Sequence, residues 1–517
     1  MKFTGLLSAA LAFGGSALAL HLYPPSENAG KILSFGFQKV KRNADNVPRL
    51  QRRDSSRTLL QRLDNLDYLY YANVSIGTPP QNLRLHLDTG SSDVWVETMK
   101  SELCQQPQRP CRSTGTFNAD TSSTYEKVSD DFDISYVDGE FARGEYGRDV
   151  FTLSDGVEVT GLQFGVGLES TSTDGIMGIG FSLNEVQVQR LGKDPYRNLV
   201  DLMVDQKVIR SRAYSLWLDD LNATTGEVLF GGVDTAKFSG PLTTLPMDKR
   251  LGERRAREFA ITLTSVSVTN SNGDSLTLTA SGYASPVLLD TGSTYTYLDP
   301  DLAKELGDQV GAQPLEQYGV AVVPCGVRGY HGSITYGFSG ATITVPLNGL
   351  VVDAWDRSGN LARYSDGTPL CYWGILSSGD VGTNVLVRFT FPKVDWGTWT
   401  EPSQGDTFLR SAYVVYDLDN EEISLANTLY NVTDSRILEI GTGRSAVPDA
   451  TGAVSAVMVP ASGTSTNRGN ARPYISETMT RASSSDPTGS TNTAPSLNPP
   501  LTSALLLFVT LFISLVL

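Results

Sequence analysis

The chain has 517 residues, 40% hydrophobic and 9% aromatic, which is enough apolar material for two or three domains with substantial cores. Its 41 basic and 56 acidic residues leave a formal charge of -15, which opposes binding to nucleic acid or to an anionic membrane surface as the main task. Only four cysteines and three histidines are present. Zinc clusters and Cys-His or Ser-His nucleophile systems therefore have little material, and no metal or cofactor is expected.

In chain order, the first element is a single cation, Lys2, followed by an apolar stretch with Leu6, Leu7, Leu11 and Phe13, closing on Ala17-Leu18-Ala19. This is the pattern of a secretory signal peptide, residues 1–19. Export places the cysteines in an oxidising compartment, so two bridges are expected, Cys104 with Cys111 and Cys325 with Cys371. Asn73, Asn222 and Asn431 head glycosylation sequons. Residues 20–53 carry Lys31, Lys39, Lys41, Arg42, Arg49, Arg52 and Arg53 against Glu27 and Asp45. A basic segment ending on the dibasic pair Arg52-Arg53, ahead of an acidic protein, is the expected form of a propeptide that covers an acidic cleft until it is cut away.

The core then runs in short β-rich stretches separated by turn residues, among them Tyr70–Ile76, Leu83–Leu87 and Ala412–Asp417. Helical patterns are few; the better ones are Asn198–Ile209 and Asp301–Leu306, the second after Asp299-Pro300, a cap residue and a proline suited to the first turn. A mostly β enzyme of two lobes is expected, residues 54–240 and 241–430. The run Asp248–Arg257, with Lys249-Arg250 and Arg254-Arg255, reads as a solvated surface loop, with a second processing site as the sharper alternative. After about Thr433 the sequence turns to Ser, Thr, Gly, Pro and Ala, so residues 431–490 are expected to form a stalk that adds nothing to a core. The apolar end, Ala504–Leu517, has no basic flank beyond it, which makes 491–517 a GPI-attachment signal, with the anchor placed between about Gly489 and Ala494.

One sequence returns inside the core. Leu87-Asp88-Thr89-Gly90-Ser91-Ser92 is echoed by Leu289-Asp290-Thr291-Gly292-Ser293-Thr294, each copy following an apolar strand. The interval is far too long for a solenoid repeat and fits one copy per lobe of a duplicated domain, facing each other. A lone Asp-Thr-Gly is an ordinary turn. Two of them supply the paired carboxylates that amide hydrolysis needs for base and acid work. Gly90 and Gly292 let backbone approach the carboxylates, and Ser91 and Ser293 can donate to their outer oxygens.

On these residues the chain resembles the pepsin family of aspartic proteases, over about Asp67 to Ala426. Further matches are Tyr70 to Gln81, Trp95, Ser122-Ser123-Thr124-Tyr125, Asp174 to Gly180, Leu229 to Asp234 and Phe408 to Tyr413. With its propeptide, stalk and anchor signal it is most similar to the fungal GPI-anchored yapsin-like branch. The resemblance implies a bilobal pepsin-like fold, two related β-rich lobes with a catalytic cleft between them. It implies an aspartic endopeptidase in which Asp88 and Asp290 hold a water, one ionised and one protonated, since two close carboxylates cannot both ionise; this enzyme class is itself the standard illustration. Tyr136 then matches the flap tyrosine, Trp95 its hydrogen-bonding partner, and Asp138-Gly139 the flap tip. An acidic tip at Asp138, with Glu140 nearby, leads to the expectation of Lys or Arg on the amino side of the scissile bond. The implied partners are polypeptide substrates and, through the anchor, the outer face of the cell membrane or wall; the catalytic unit is expected to be monomeric.

The chain departs from the family at two places. Val137 stands in the flap where a glycine is usual. Ser403-Gln404 precede Gly405-Asp406, where two apolar residues are usual. Deleting 387–404 would bring Val385-Leu386 next to Gly405, and Val387-Arg388 and Gln404 are encodable as GTA-AGA and CAG, the ends of an intron. Residues 387–404 are accordingly expected to be an intron-derived insertion outside the fold. A non-catalytic pepsin-fold binding protein would usually show a ruined triplet, an adhesin needs no paired triplets, and a carboxylate-pair glycosidase would not carry pepsin-like motifs along its whole core.

Overall fold

The computed structural model describes residues 57–66, 69–136, 139–250, 252–315, 319–355, 360–378 and 403–452. The signal segment, the propeptide, Val137 and Asp138, and everything beyond 452 lie outside the described residues.

The architecture is mostly β and bilobal, as pattern and resemblance led one to expect. Alternation of side chains along each strand decides what is buried. In the strand Leu69–Ile76, for example, Tyr70, Ala72, Val74 and Ile76 enter the core while Asn73 faces solvent. That strand lies between Leu59–Leu66 and Gln81–Asp88, and Leu59–Leu66 pairs in turn with Thr225–Phe230. The chain leaving the dibasic site at Arg53 therefore enters the sheet within a few residues.

The expected helices are present with adjusted ends. Leu199–Asp205 is capped by the Asn198 side chain, which accepts from the Asp201 amide at 3.1 Å. Pro300–Val310 starts on its proline and stops at Gly311, whose φ of 68° only glycine adopts without strain.

The two lobes repeat one local arrangement. In the first, Gln81–Asp88 pairs in parallel with Gly175–Gly178, which pairs antiparallel with Val94–Glu97, so that Leu87 and Val94 both face Met177. In the second, Ser285–Leu289 pairs in parallel with Ser403–Gln404, which pairs antiparallel with Thr296–Leu298, so that Leu289 and Thr296 both face Gln404. The duplication seen in sequence is thus a duplication of register. A long sheet joins the lobes through Ala213–Trp217, Ala412–Asp417, Glu422–Thr428 and Phe238–Pro246. On its inner face Tyr416 stacks on Tyr214, ring centroids 5.0 Å apart, and meets Phe259 edge-on at 4.6 Å.

Two expectations need correction. Ser403 and Gln404 lie in the sheet, so the proposed insertion does not fall wholly outside the fold; 387–402 are outside the described residues. The reason is that ladder hydrogen bonds come from the backbone, and two extended residues of any kind can fill the place before Gly405. The second lobe also does not end at 430. Ile437–Glu439 pairs with Gly232–Asp234, and Ala450–Thr451 pairs with Leu242-Thr243. Ile440, Ala446 and Val447 are buried against Val233, Leu242, Tyr413 and Val415. A short apolar set suffices there because the receiving surface is already built, so composition alone gave no warning.

Candidate active site

Both Asp-Thr-Gly turns sit where a strand of one lobe ends facing the other lobe. A side-chain carbon built on Gly90 would lie 2.5 Å from Asp290 Oδ1, and one built on Gly292 would lie 2.6 Å from Asp88 Oδ1. Each glycine is therefore required by the carboxylate of the opposite turn, and the two acids share one small space. Within each turn the carboxylate is held twice. The Gly90 amide donates to Asp88 Oδ1 at 2.8 Å and the Ser91 hydroxyl to Oδ2; the Gly292 amide donates to Asp290 Oδ1 at 2.8 Å and the Ser293 hydroxyl to Oδ2 at 2.9 Å.

The turns are also bolted to each other. The Thr89 amide donates to Thr291 Oγ1 at 3.1 Å and the Thr291 amide to Thr89 Oγ1 at 3.0 Å. Each hydroxyl passes its own proton on, Thr89 to the Leu289 carbonyl at 2.9 Å and Thr291 to the Leu87 carbonyl at 2.8 Å. Burial, with the neighbouring Asp88 charge, pushes the Asp290 carboxyl up to about 7. A pair in which one acid keeps its proton can act as base and acid at once.

Over the first lobe, Glu126–Ser135 and Phe141–Thr152 form a hairpin. At its tip the Tyr136 amide donates to the Glu140 carbonyl at 2.8 Å, and Gly139 takes a φ of 89°. Trp95, fully buried, donates from Nε1 to the Tyr136 hydroxyl at 2.7 Å. The structure thus brings together Asp88, Asp290, Gly90, Gly292, Ser91 and Ser293, and links Trp95 to Tyr136. Asp138 falls outside the described residues.

The cysteines pair as expected, Cys104 with Cys111 and Cys325 with Cys371. Asn73, Asn222 and Asn431 are all exposed. Two of them have their amides engaged, Asn73 with Asp64 at 2.8 Å and Asn431 with Asp220 at 2.7 Å. In the basic run, Lys249 and Arg255 share Glu421, and Arg250 pairs with Glu258.

Sequence reading missed a set of buried acids. Burial pushes Glu97, whose Oε2 lies 3.1 Å from Cys104 Sγ, up to about 7, and Glu185 up to about 10. Asp406 is raised well above its ordinary range by burial, against the pull of Arg410. Glu97 follows the apolar run Val94-Trp95-Val96, a signal shared by many surface turns; Glu185 follows no such run, and Asp406 stood out only as part of the Gly405-Asp406 motif, with nothing to mark it as buried.

The fold and the paired acids define a bilobal aspartic peptidase. Comparison with known proteins agrees: the eukaryotic aspartyl protease family profile matches residues 69–428. The chain is 43% identical over 441 residues to the protein named Probable aspartic-type endopeptidase opsB of Aspergillus oryzae, covering 85% of this chain and 84% of that one. It is 42% identical over 410 residues to a protein of the same name from Arthroderma benhamiae, covering 79% and 78%. With Aspartic proteinase 3 of Saccharomyces cerevisiae it shares 30% identity over 461 residues, covering 75% and 74%. The chain belongs to the eukaryotic aspartyl protease family and is an aspartic-type endopeptidase acting on polypeptides.

Proposed function

We propose that the enzyme hydrolyses peptide bonds with a water held between Asp88 and Asp290. Asp88, ionised, takes a proton from the water as its oxygen attacks the scissile carbonyl carbon. Asp290 gives its proton to the carbonyl oxygen, forming a neutral tetrahedral diol with no covalent link to the enzyme. Transfer of a proton to the nitrogen then releases the amine and the new carboxyl group. The observation that carries this reading is the pair of carboxylates, each lying against the glycine of the opposite turn. The requirement for one retained proton favours acidic working pH. Tyr136, tied to Trp95, closes over substrate, and Asp138 with Glu140 favours a basic residue on the amino side of the cut.

The finer assignment is a secreted, yapsin-like enzyme of the cell surface. It is supported by the apolar leader, the basic segment ending at Arg53, the Ser/Thr-rich tail and the apolar terminus. In this reading residues 1–19 and 20–53 are removed, the chain after 452 is a stalk, 491–517 is exchanged for a GPI anchor, the sequons carry glycans, and the catalytic unit acts as a monomer.

Asp88→Asn and Asp290→Asn test the mechanism, because each keeps shape and removes the group that activates water or shares the proton. Turnover of an acid-pH peptide substrate should fall by about a hundredfold or more, as loss of acid-base catalysis of about 10²–10⁴ implies, with the melting transition retained. Either variant turning over at more than a few per cent of the parent rate would sink the reading.

A further inference from the structure

His86 lies two residues before Asp88 on the same strand, almost wholly buried, and the mechanism above does not use it. Its ring crosses the lobe boundary: Nε2 is 3.2 Å from the Thr291 carbonyl oxygen. That oxygen can only accept, so Nε2 carries the proton and donates. The duplicated register gives an internal control. The position two before Asp290 is Leu288, whose side chain has no donor, so this link runs in one direction only, from the first lobe into the second turn.

The peptide group that accepts from His86 is the one that serves the acid. Thr291 and Gly292 share it, and its N–H donates to Asp290 Oδ1 at 2.8 Å. A hydrogen bond accepted by a carbonyl polarises its peptide group and strengthens donation from the attached N–H. A carboxylate receiving a stronger hydrogen bond is favoured in its ionised form. His86 therefore acts on Asp290 through one peptide, without touching substrate or water. Tyr71 on the adjacent strand lies beside the ring, centroids 5.6 Å apart, and its hydroxyl donates to Asp174 Oδ2 at 2.7 Å; the titratable groups that act with Asp290 include Asp88, Asp406 and Tyr416.

We propose that His86 is a positioning residue for the catalytic pair, holding the second turn in place and weakening Asp290's grip on its proton through the Thr291–Gly292 peptide. The link thereby opposes the rise that burial and the Asp88 charge impose on Asp290, and limits it. The inference rests on the reading that Asp88 and Asp290 are the catalytic pair, and that reading is judged separately by the two Asn variants.

The test compares three variants of the secreted enzyme: His86→Leu, which copies Leu288, His86→Met, a second donor-free side chain of similar reach, and His86→Gln, which keeps an N–H donor near the Nε2 position. The readout is the pH dependence of kcat/KM on one peptide substrate from pH 3 to 8. With the donor gone, Asp290 holds its proton more tightly, so the alkaline limb should move to higher pH by about 0.5 unit or more in the Leu or Met variant, whichever folds. His86→Gln should return the limb towards its parent position. Unmoved limbs in the donor-free variants, with only a lower kcat, would overturn the proposal. So would a Gln variant whose limb coincides with that of the donor-free variants.

Discussion

Thr89 and Thr291 each hold the other's backbone amide on a side-chain hydroxyl, at 3.1 and 3.0 Å. Both residues are buried, and four backbone groups depend on the two hydroxyls. Thr291→Val keeps the shape but leaves the Thr89 amide and the Leu87 carbonyl without these partners. Each orphaned buried group costs about 1–3 kcal/mol. With two such groups the variant should lose about 2–6 kcal/mol of stability in denaturant unfolding, and most of its kcat. An unchanged unfolding midpoint would show that the paired threonines carry no such weight.

Stability should fall as pH rises. Burial raises Glu97 to about 7, Glu185 to about 10 and Asp248 to about 6, and Asp290 stands at about 7. In the unfolded chain such groups titrate near 4. Between those values the folded state holds protons that the unfolded state has released, so the slope of stability against pH is negative. Their contribution is complete below about pH 4; that of Asp248, Glu97 and Asp290 is lost as pH rises through 6 and 7, and that of Glu185 only towards 10. Glu421, partly buried but held below its usual range by Lys249 and Arg255, works the other way in stronger acid. Thermal melts should give a higher Tm at pH 5 than at pH 7. A Tm that is level or rising across that interval contradicts this.

The proposed preference for a basic residue rests on the flap tip. A substrate cation meeting Asp138 beneath a closed flap would gain a charge-assisted hydrogen bond of roughly 1.5–3 kcal/mol, about tenfold to a hundredfold in kcat/KM. Matched peptides with Lys, Arg or Leu on the amino side of the bond should separate near pH 5 and converge below pH ~4, where an ordinary Asp loses its charge. Asp138→Thr should converge them at both. Equal cleavage of Lys and Leu peptides at pH 5 would assign the acidic tip a purely structural role.

Ser403 and Gln404 stand in the second lobe where Ile176 and Met177 stand in the first, and Ile176 and Met177 are buried. Removing 387–404 would bring Val385 and Leu386 to those positions, restoring apolar residues. We propose that the mature enzyme lacks this segment. The shortened chain should be active with a higher Tm, and the dominant messenger should lack the matching stretch. A dominant messenger that retains it, together with a lower Tm on deletion, would refute the idea.

Much of this was legible in the sequence because the pepsin-like core is written in local signals. Asp-Thr-Gly recurs with its apolar strand, Asn198 and Pro300 mark helix starts, and Ala412–Asp417 appears as a strand over the residues predicted. What was not legible depends on contacts between distant residues. The partner of His86 is 205 positions away, the buried state of Glu97 and Glu185 follows from packing around them, and Ile437–Thr451 becomes structure only on a surface made by residues some 200 positions earlier.

That last segment would have a mechanical meaning if, as proposed above, the enzyme is held by its tail. Along Ala412–Asp417, Tyr416 faces the catalytic turns, its hydroxyl 3.4 Å from the Leu289 carbonyl, while Tyr413 and Val415 point to the other face, where Ile440, Ala446 and Val447 pack. Force on a tether would reach the globule first at the two-residue pairing of Ala450-Thr451 with Leu242-Thr243, at the edge of the sheet. That contact can peel and close again without disturbing the opposite face. Truncation after residue 430 should therefore lower Tm yet leave kcat near its parent value, and under the proposed anchor the tail would act as a strain relief for the cleft.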